Sequence, residues 1–282
     1  MSKIHSSIQK AIEKARGSRP TESRSAEDRA KPHEASSLDE HPGSGIFRIF
    51  QTAQIDKEIM EESLLVSEID DRSAIAAYKI LRTRVLQRMR SNNWRTLLVT
   101  SAGAGEGKTL TASNLALSIS RDVNQSVLLV DLDLQRSRVS TYFGFDFETK
   151  NGIGEYLNGT AEIADIVYAP SGLERISIIP NLNPVEHASD LLSGPRMKEL
   201  MTWIKQQSER TIVIIDMPPV LVDDDVLAFC PEVDAVLLVA AQGQTDRAAL
   251  EKASALLAET DLLGVVLNKC SETSGENVYG YY

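Results

Sequence analysis

The run TLLVTSAGAGEGKT, Thr96 to Thr109, decides the reading of this chain, and a helical stretch, LTASNLALSIS (110–120), follows it. TLLVTS (96–101) is apolar almost throughout, as a strand buried on both faces of a parallel sheet must be. It ends in a loop with the spacing of a P-loop, with Ala102 where the first glycine usually stands. Gly103, Gly105 and Gly107 permit positive φ, so the backbone N–H groups from Gly103 through Ala104 and Glu106 to Gly107 can wrap a polyphosphate without Cβ clashes. Lys108 stands where it would neutralise the outer phosphates and Thr109 where its hydroxyl would ligate Mg2+. The helix opening at Lys108, Thr109 and Leu110 would add the positive end of its dipole. Strand before and helix after are the context this motif requires, and the expected cofactors are ATP and Mg2+.

Two further buried runs end in acids. Val127 to Val130 lead into Asp131-Leu132-Asp133, and Ile212 to Ile215 into Asp216-Met217-Pro218-Pro219. A carboxylate at the tip of a buried strand is costly unless it meets a cation or hydrogen-bond donors. Mg2+, which takes oxygen ligands and keeps several waters, meets that need. Lys108, Asp131, Asp133 and Asp216 are therefore the candidate catalytic residues. Thr109, Asp133 and Asp216 are assigned to the metal sphere. Asp131 is assigned as the base, because a phenol with a pKa near ~10 needs a positioned proton acceptor at neutral pH.

Strand-like runs at 96–101, 126–133, 176–181, 211–216, 233–240 and 262–268 alternate with helical stretches that include 73–89, 108–121, 195–207 and 245–259. The fold class is α/β: a doubly wound, mainly parallel sheet of the P-loop NTPase type, with ligands at the carboxyl ends of its strands. Asn268, closing the last run, is a candidate for the base edge of a nucleotide or for a capping role.

The remainder of the chain is uneven. Residues 1–46 lack aromatics and read as a mostly disordered tail, with one short amphipathic helix on Ile4, Ile8, Ile12 and Ala15. His5, His33 and His41 lie in this tail at no metal-binding spacing. Residues 47–72 are expected as a linker, 73–270 as the nucleotide-binding domain and 271–282 as a flexible tail. Three of the seven tyrosines, Tyr279, Tyr281 and Tyr282, fall in the last four positions, which makes them candidate phosphoacceptors. The net charge of −10 argues against a general nucleic-acid binder. Cys230 and Cys270 have no metal-ligand spacing and are expected as buried thiols. No apolar run is long enough to span a bilayer and the N-terminus lacks a secretory core, so the expected compartment is the cytoplasm.

The P-loop, the strand ending in DLD, the IIDMPP strand and the tyrosine tail together resemble the bacterial tyrosine kinases of capsular and exopolysaccharide assembly. The resemblance covers about Ser73 to Tyr282 and includes AYKILRTRV (77–85), GEGKTLTASNLALSIS (105–120), LLSGPRMKELM (191–201) and LLGVVLN (262–268). IQKAIEKAR (8–16) is similar to the start of the exosortase-associated tyrosine autokinases. The resemblance implies ATP and Mg2+, autophosphorylation of the terminal tyrosines, and control of polysaccharide polymerisation or export. It also implies a membrane-spanning co-polymerase activator, recruitment to the inner face of the membrane and a cognate phosphatase, with self-association left open.

Three features depart from the family pattern. Gln135 occupies an arginine position, with Arg136 after it, and Met217 stands where threonine is usual. Ala76, Lys79 and Arg82 replace a Glu-x-x-Arg-x-x-Arg helix that builds subunit contacts. The alternative reading is a nucleotide-switched P-loop ATPase scaffold without tyrosine kinase activity. A partition-type ATPase is disfavoured, because such proteins carry a second lysine early in the loop, where this chain has Gly103.

Overall fold

The computed structural model describes residues 51–146 and 151–270. The expected head, its helix and three histidines, and the tail with Tyr279, Tyr281 and Tyr282, lie outside the described residues.

The strands are β1 (Gln51–Ala53), β2 (Thr96–Ser101), β3 (Ser126–Asp131), β4 (Tyr168–Pro170), β5 (Ile176–Ile179), β6 (Thr211–Asp216), β7 (Ala235–Ala241) and β8 (Leu262–Asn268). They form one eight-stranded sheet in the order β1-β4-β5-β3-β6-β2-β7-β8. Every neighbouring pair is parallel except β4 with β5. The helices are α1 (Lys57–Glu62), α2 (Arg72–Asn92), α3 (Lys108–Ser120), α4 (Val139–Tyr142), α5 (Ile153–Leu157), α6 (Ile163–Ile166), α7 (Ala188–Leu192), α8 (Pro195–Lys205), α9 (Asp225–Phe229) and α10 (Arg247–Leu256).

The apolar runs are buried end to end because helices cover both faces of the sheet, and the period of two divides their side chains between two cores. Leu98, Leu128, Val130, Val213, Ile215 and Leu238 pack with α8 residues Leu200 and Ile204. Their neighbours Leu97, Val99, Leu129, Ile214 and Leu237 pack on the other face with Val85 and Met89 of α2 and Leu115 and Ile119 of α3. Helix α2 starts where the Asp71 carboxylate accepts the free N–H groups of Ser73 and Ala74, and it stops at Asn93 in the left-handed region.

The mainly parallel, doubly wound sheet is the one expected, with corrections at its margins. Residues 51–72, expected as part of a linker, are built into the domain. β1 pairs with β4, and Met60, Leu65 and Val66 are buried in the core with α2. Asn114 of α3 ties this segment down, its Oδ1 accepting from Val66 N at 2.8 Å and its Nδ2 donating to the Leu64 carbonyl at 3.1 Å. A three-residue polar strand and a six-residue helix are too short to show a period. β3 ends at Asp131 rather than Asp133, so the second aspartate of DLD belongs to the loop. Cys230 is buried, its thiol pushed up to about 11 by that burial, but Cys270 is exposed.

The consequence for function is positional. β3, β6 and β2 are adjacent, with Asp131 opposite Asp216 and Asp216 opposite Val99, so the two acidic tips and the P-loop open at one edge of the sheet.

Candidate active site

The P-loop leaves β2 and turns into α3 through two left-handed glycines, Gly105 at φ 75° and Gly107 at φ 91°. Gly103, expected to share that role, does not adopt a positive φ. A Cβ on Gly107 would collide with the side-chain amide of Asn268, so both backbone conformation and space require glycine there. No side chain caps α3, whose N-cap is Gly107. Its first N–H groups face the loop mouth, where the positive end of the helix favours an anion.

Lys108 crosses that mouth. Its Nζ lies 2.7 Å from Asp133 Oδ2 and 3.3 Å from Asp216 Oδ2. Burial pulls the Lys108 ammonium down, and the charges of Asp216 and Asp133, with the hydrogen bond to Asp133, outweigh it and hold the pKa above its ordinary value. The Thr109 hydroxyl donates to Asp216 Oδ2 at 2.6 Å. Asp216 is fully buried, and its Oδ1 has no hydrogen-bond partner among the described residues. Burial raises the Asp216 pKa despite the opposing pull of Lys108 and Thr109.

Asp131 is as fully buried as Asp216. Its Oδ1 accepts from Asp133 N at 3.2 Å, and its Oδ2 from Arg138 N at 3.2 Å and Val139 N at 3.1 Å. Burial first, and the charge of Asp216 second, hold its carboxyl well above the usual carboxylate range. Asp133, 4% exposed, accepts from Arg136 N at 3.0 Å. The segment after β3 thus wraps its own backbone donors around both aspartates, leaving one ammonium among three buried carboxyl groups.

This chain matches the AAA domain family over residues 95–269, more than half its length. The chain belongs to that family. Within this AAA domain family its relatives are bacterial tyrosine kinases. The tyrosine-protein kinase YwqD of Bacillus subtilis is 29% identical over 217 residues, covering 73% of this chain and 84% of YwqD. EpsB of Ralstonia solanacearum is 28% identical over 257 residues, covering 86% of this chain but only 33% of EpsB. This chain therefore spans about a third of that longer relative. Among solved structures, the kinase domain of the Escherichia coli tyrosine kinase ETK superposes with a TM-score of 0.65 at 28% identity. That superposition covers 75% of this chain and 83% of the ETK chain.

In this AAA domain the expected site residues gather at one mouth, with differences of detail. Ala104 and Gly105 are exposed on the loop, and Leu110 is half-buried against the core on the α2–α3 face. Glu106 does not face the mouth. The residue is 3% exposed, and its Oε1 accepts from the Thr245 hydroxyl at 2.5 Å, while Oε2 has no partner among the described residues. Asn268 Nδ2 donates to the Glu106 carbonyl at 3.0 Å, a contact of the kind the capping role requires. Gln244, Thr245 and Lys269, which bond to the loop from the ends of β7 and β8, escaped the sequence reading. Nothing in their local pattern marks contacts made more than a hundred residues away.

The three departures also find places. Gln135 donates to the Val185 carbonyl at 2.6 Å, so this position braces a neighbouring loop instead of offering a cation. Met217 is fully buried in the core. Arg82 donates to the Ser118 carbonyl within the domain, while Ala76 and Lys79 are exposed.

The residues fit the expected cation. A buried carboxylate oxygen without a donor, a hydroxyl 2.6 Å from its partner oxygen and a further acid beside them form an all-oxygen set of the kind Mg2+ takes. The glycine loop and the open end of α3 fit a polyphosphate. Among the described residues no helix is long and apolar enough to cross a membrane.

Proposed function

We propose that this chain is an ATP- and Mg2+-dependent protein-tyrosine kinase that phosphorylates its own terminal tyrosines, Tyr279, Tyr281 and Tyr282, in the control of exopolysaccharide synthesis or export. One observation carries the reading: at the mouth of a P-loop, one lysine is shared among acids of which Asp216 keeps a buried oxygen unpartnered, in a chain related to named tyrosine-protein kinases.

Each residue then has a role. The N–H groups of the loop hold the outer phosphates, and Lys108 turns from Asp133 and Asp216 onto them as they arrive. Thr109, Asp133 and Asp216 would hold Mg2+, which when bound would draw charge off the transferring phosphoryl group. Asp131 takes the proton of the tyrosine hydroxyl. The phenolic oxygen forms its bond to the terminal phosphorus as the phosphoanhydride bond breaks, and ADP leaves. A membrane-spanning activator at the inner face of the membrane belongs to this reading, as the resemblance to the capsular and exopolysaccharide kinases implies. A cognate phosphatase would reset the tail.

The test is incubation of the full chain with ATP and Mg2+, followed by mass spectrometry of the C-terminal peptide. Phosphate on Tyr279, Tyr281 or Tyr282 is expected, and Lys108→Ala removes it. A chain that binds nucleotide but gains no phosphotyrosine, even beside its activator, would be a nucleotide-switched scaffold instead.

A further inference from the structure

Three successive carbonyls of the P-loop are each held from outside the loop. The Ala104 carbonyl accepts from Gln244 Nε2 at 2.7 Å, the Gly105 carbonyl from Lys269 Nζ at 2.6 Å, and the Glu106 carbonyl from Asn268 Nδ2 at 3.0 Å. Gln244 and Lys269 are also bonded to each other, Nζ to Oε1 at 3.0 Å. The donors come from two places only, the turn after β7 and the end of β8. These are themselves joined by the Gln242 N–H to the Asn268 carbonyl at 2.9 Å.

We infer that Gln244 and Lys269, with Asn268, are positioning residues that preset the P-loop for phosphate by fixing the direction of its peptide planes. In a trans peptide the carbonyl and the following N–H point opposite ways. Holding the carbonyls of Ala104, Gly105 and Glu106 toward the β7–β8 side therefore turns the N–H groups of Gly105, Glu106 and Gly107 toward the mouth. Gly105 and Gly107 are the residues whose freedom would otherwise let those planes flip. The inference rests on reading this loop as the phosphate site and adds to it residues outside the motif.

A second observation comes from the backbone. Lys269 sits at φ 54°, in the left-handed region that a lysine rarely adopts. That conformation directs the side chain back across the sheet edge onto Gly105, and strained backbone of this kind persists where the surrounding structure holds it. The same residue leads directly into the segment that carries the terminal tyrosines.

The experiment uses the full chain and three variants, Lys269→Gly, Gln244→Ala and Lys269→Arg. Glycine removes the ammonium and relaxes the backbone, so a loss there is not a strain artefact. Affinities for ATP and for inorganic triphosphate are measured by competition against a fluorescent ATP analogue. Hydrogen exchange of the Gly105–Lys108 amides is followed in the nucleotide-free protein. Lys269→Gly and Gln244→Ala are expected to weaken both ligands equally, by roughly five- to tenfold, the scale of one hydrogen bond in this setting. They should also speed exchange in the loop, while the nucleotide-free melting temperature moves by no more than about 2 °C. Lys269→Arg should recover most of the affinity. Weakened ATP binding with unchanged triphosphate binding would make these residues base contacts and overturn the inference, as would unchanged exchange in the loop. A wild-type chain that binds neither ligand, yet shows faster loop exchange in the variants, would sink the proposed function and leave the clamp standing.

Discussion

The strands around β2 carry an aspartate at each end, and the two are treated in opposite ways. At the N-terminal ends of β2 and β7, Asp234 Oδ2 accepts from Arg95 N, Thr96 N and the Thr96 hydroxyl, each at 2.8 Å. Its own N–H donates back to that hydroxyl at 2.8 Å. At the C-terminal ends, Asp216 shares Lys108 with Asp133 and leaves Oδ1 buried and bare. With these donors Asp234 serves as a fastener between strands. A carboxylate that stays short of partners in a fully buried place keeps a free-energy cost that a cation and a phosphate can relieve.

The sharpest way to break this contrast is to delete one acid from each end. Asp131→Ala should lower the rate of tyrosine phosphorylation by about 10²–10⁴-fold, the usual range for a lost general base. Asp234→Ala should leave that rate unchanged and cost about 2 kcal/mol of stability, because three donors lose their acceptor. Initial rates of phosphotyrosine formation and urea unfolding measure the two effects. A rate loss in Asp234→Ala equal to that in Asp131→Ala would erase the distinction between the ends.

Next in size is the lysine that stands between the acids. Lys108→Ala should destabilise the nucleotide-free protein by about 3 kcal/mol at neutral pH, since it removes the ammonium from a buried cluster of carboxyl groups. Urea unfolding with and without the substitution reads this directly. An unchanged midpoint would mean that the carboxyl groups are already neutral there, and that Lys108 waits for phosphate without holding the site together.

The active end was far more legible in the sequence than the rest. The P-loop and the acid-tipped strands are local signals: runs such as LLVT and IVIID announce burial by composition, and the glycines or acids at the end of each run announce the site. β2 and β6 fall on the expected residues, and Lys108, Thr109, Asp131, Asp133 and Asp216 do meet at one mouth. Gln51–Ala53 and Tyr168–Pro170 were invisible because three residues have no period, and pairing at a sheet edge is decided by the partner strand. Helices of four to six residues such as α4 and α9 fail for the same reason. Gln244, Thr245, Lys269 and the Thr96–Asp234 fastener are side-chain bonds across 138 to 164 positions, and only the closed sheet brings those ends together.

The smallest effect, and the one that tests the contrast most closely, is the pH dependence of the nucleotide-free protein. Asp131 and Asp216 both have folded-state pKa values raised above the ordinary 3.8, so above that pH the unfolded chain has released protons that the folded chain still holds. Stability from these groups is therefore complete below about 3.8 and declines as pH rises through the raised values. Lys108 also has a raised pKa, but its contribution persists up to the ordinary 10.5 and is lost only above it, outside the pH range compared below. Comparing unfolding of the wild type with Asp216→Asn from pH 4 to 8 reads the Asp216 carboxyl together with its coupling to Asp131 and Lys108, whose pKa values its charge raises. The variant should gain on the wild type as pH rises, and Mg2+ with nucleotide should reverse that order by relieving the ionised carboxylate. A flat difference would mean that Asp216 ionises in the fold as easily as in the unfolded chain. Its bare oxygen would then carry no cost for a cation to remove, and the two ends of the sheet would differ in wiring but not in energy.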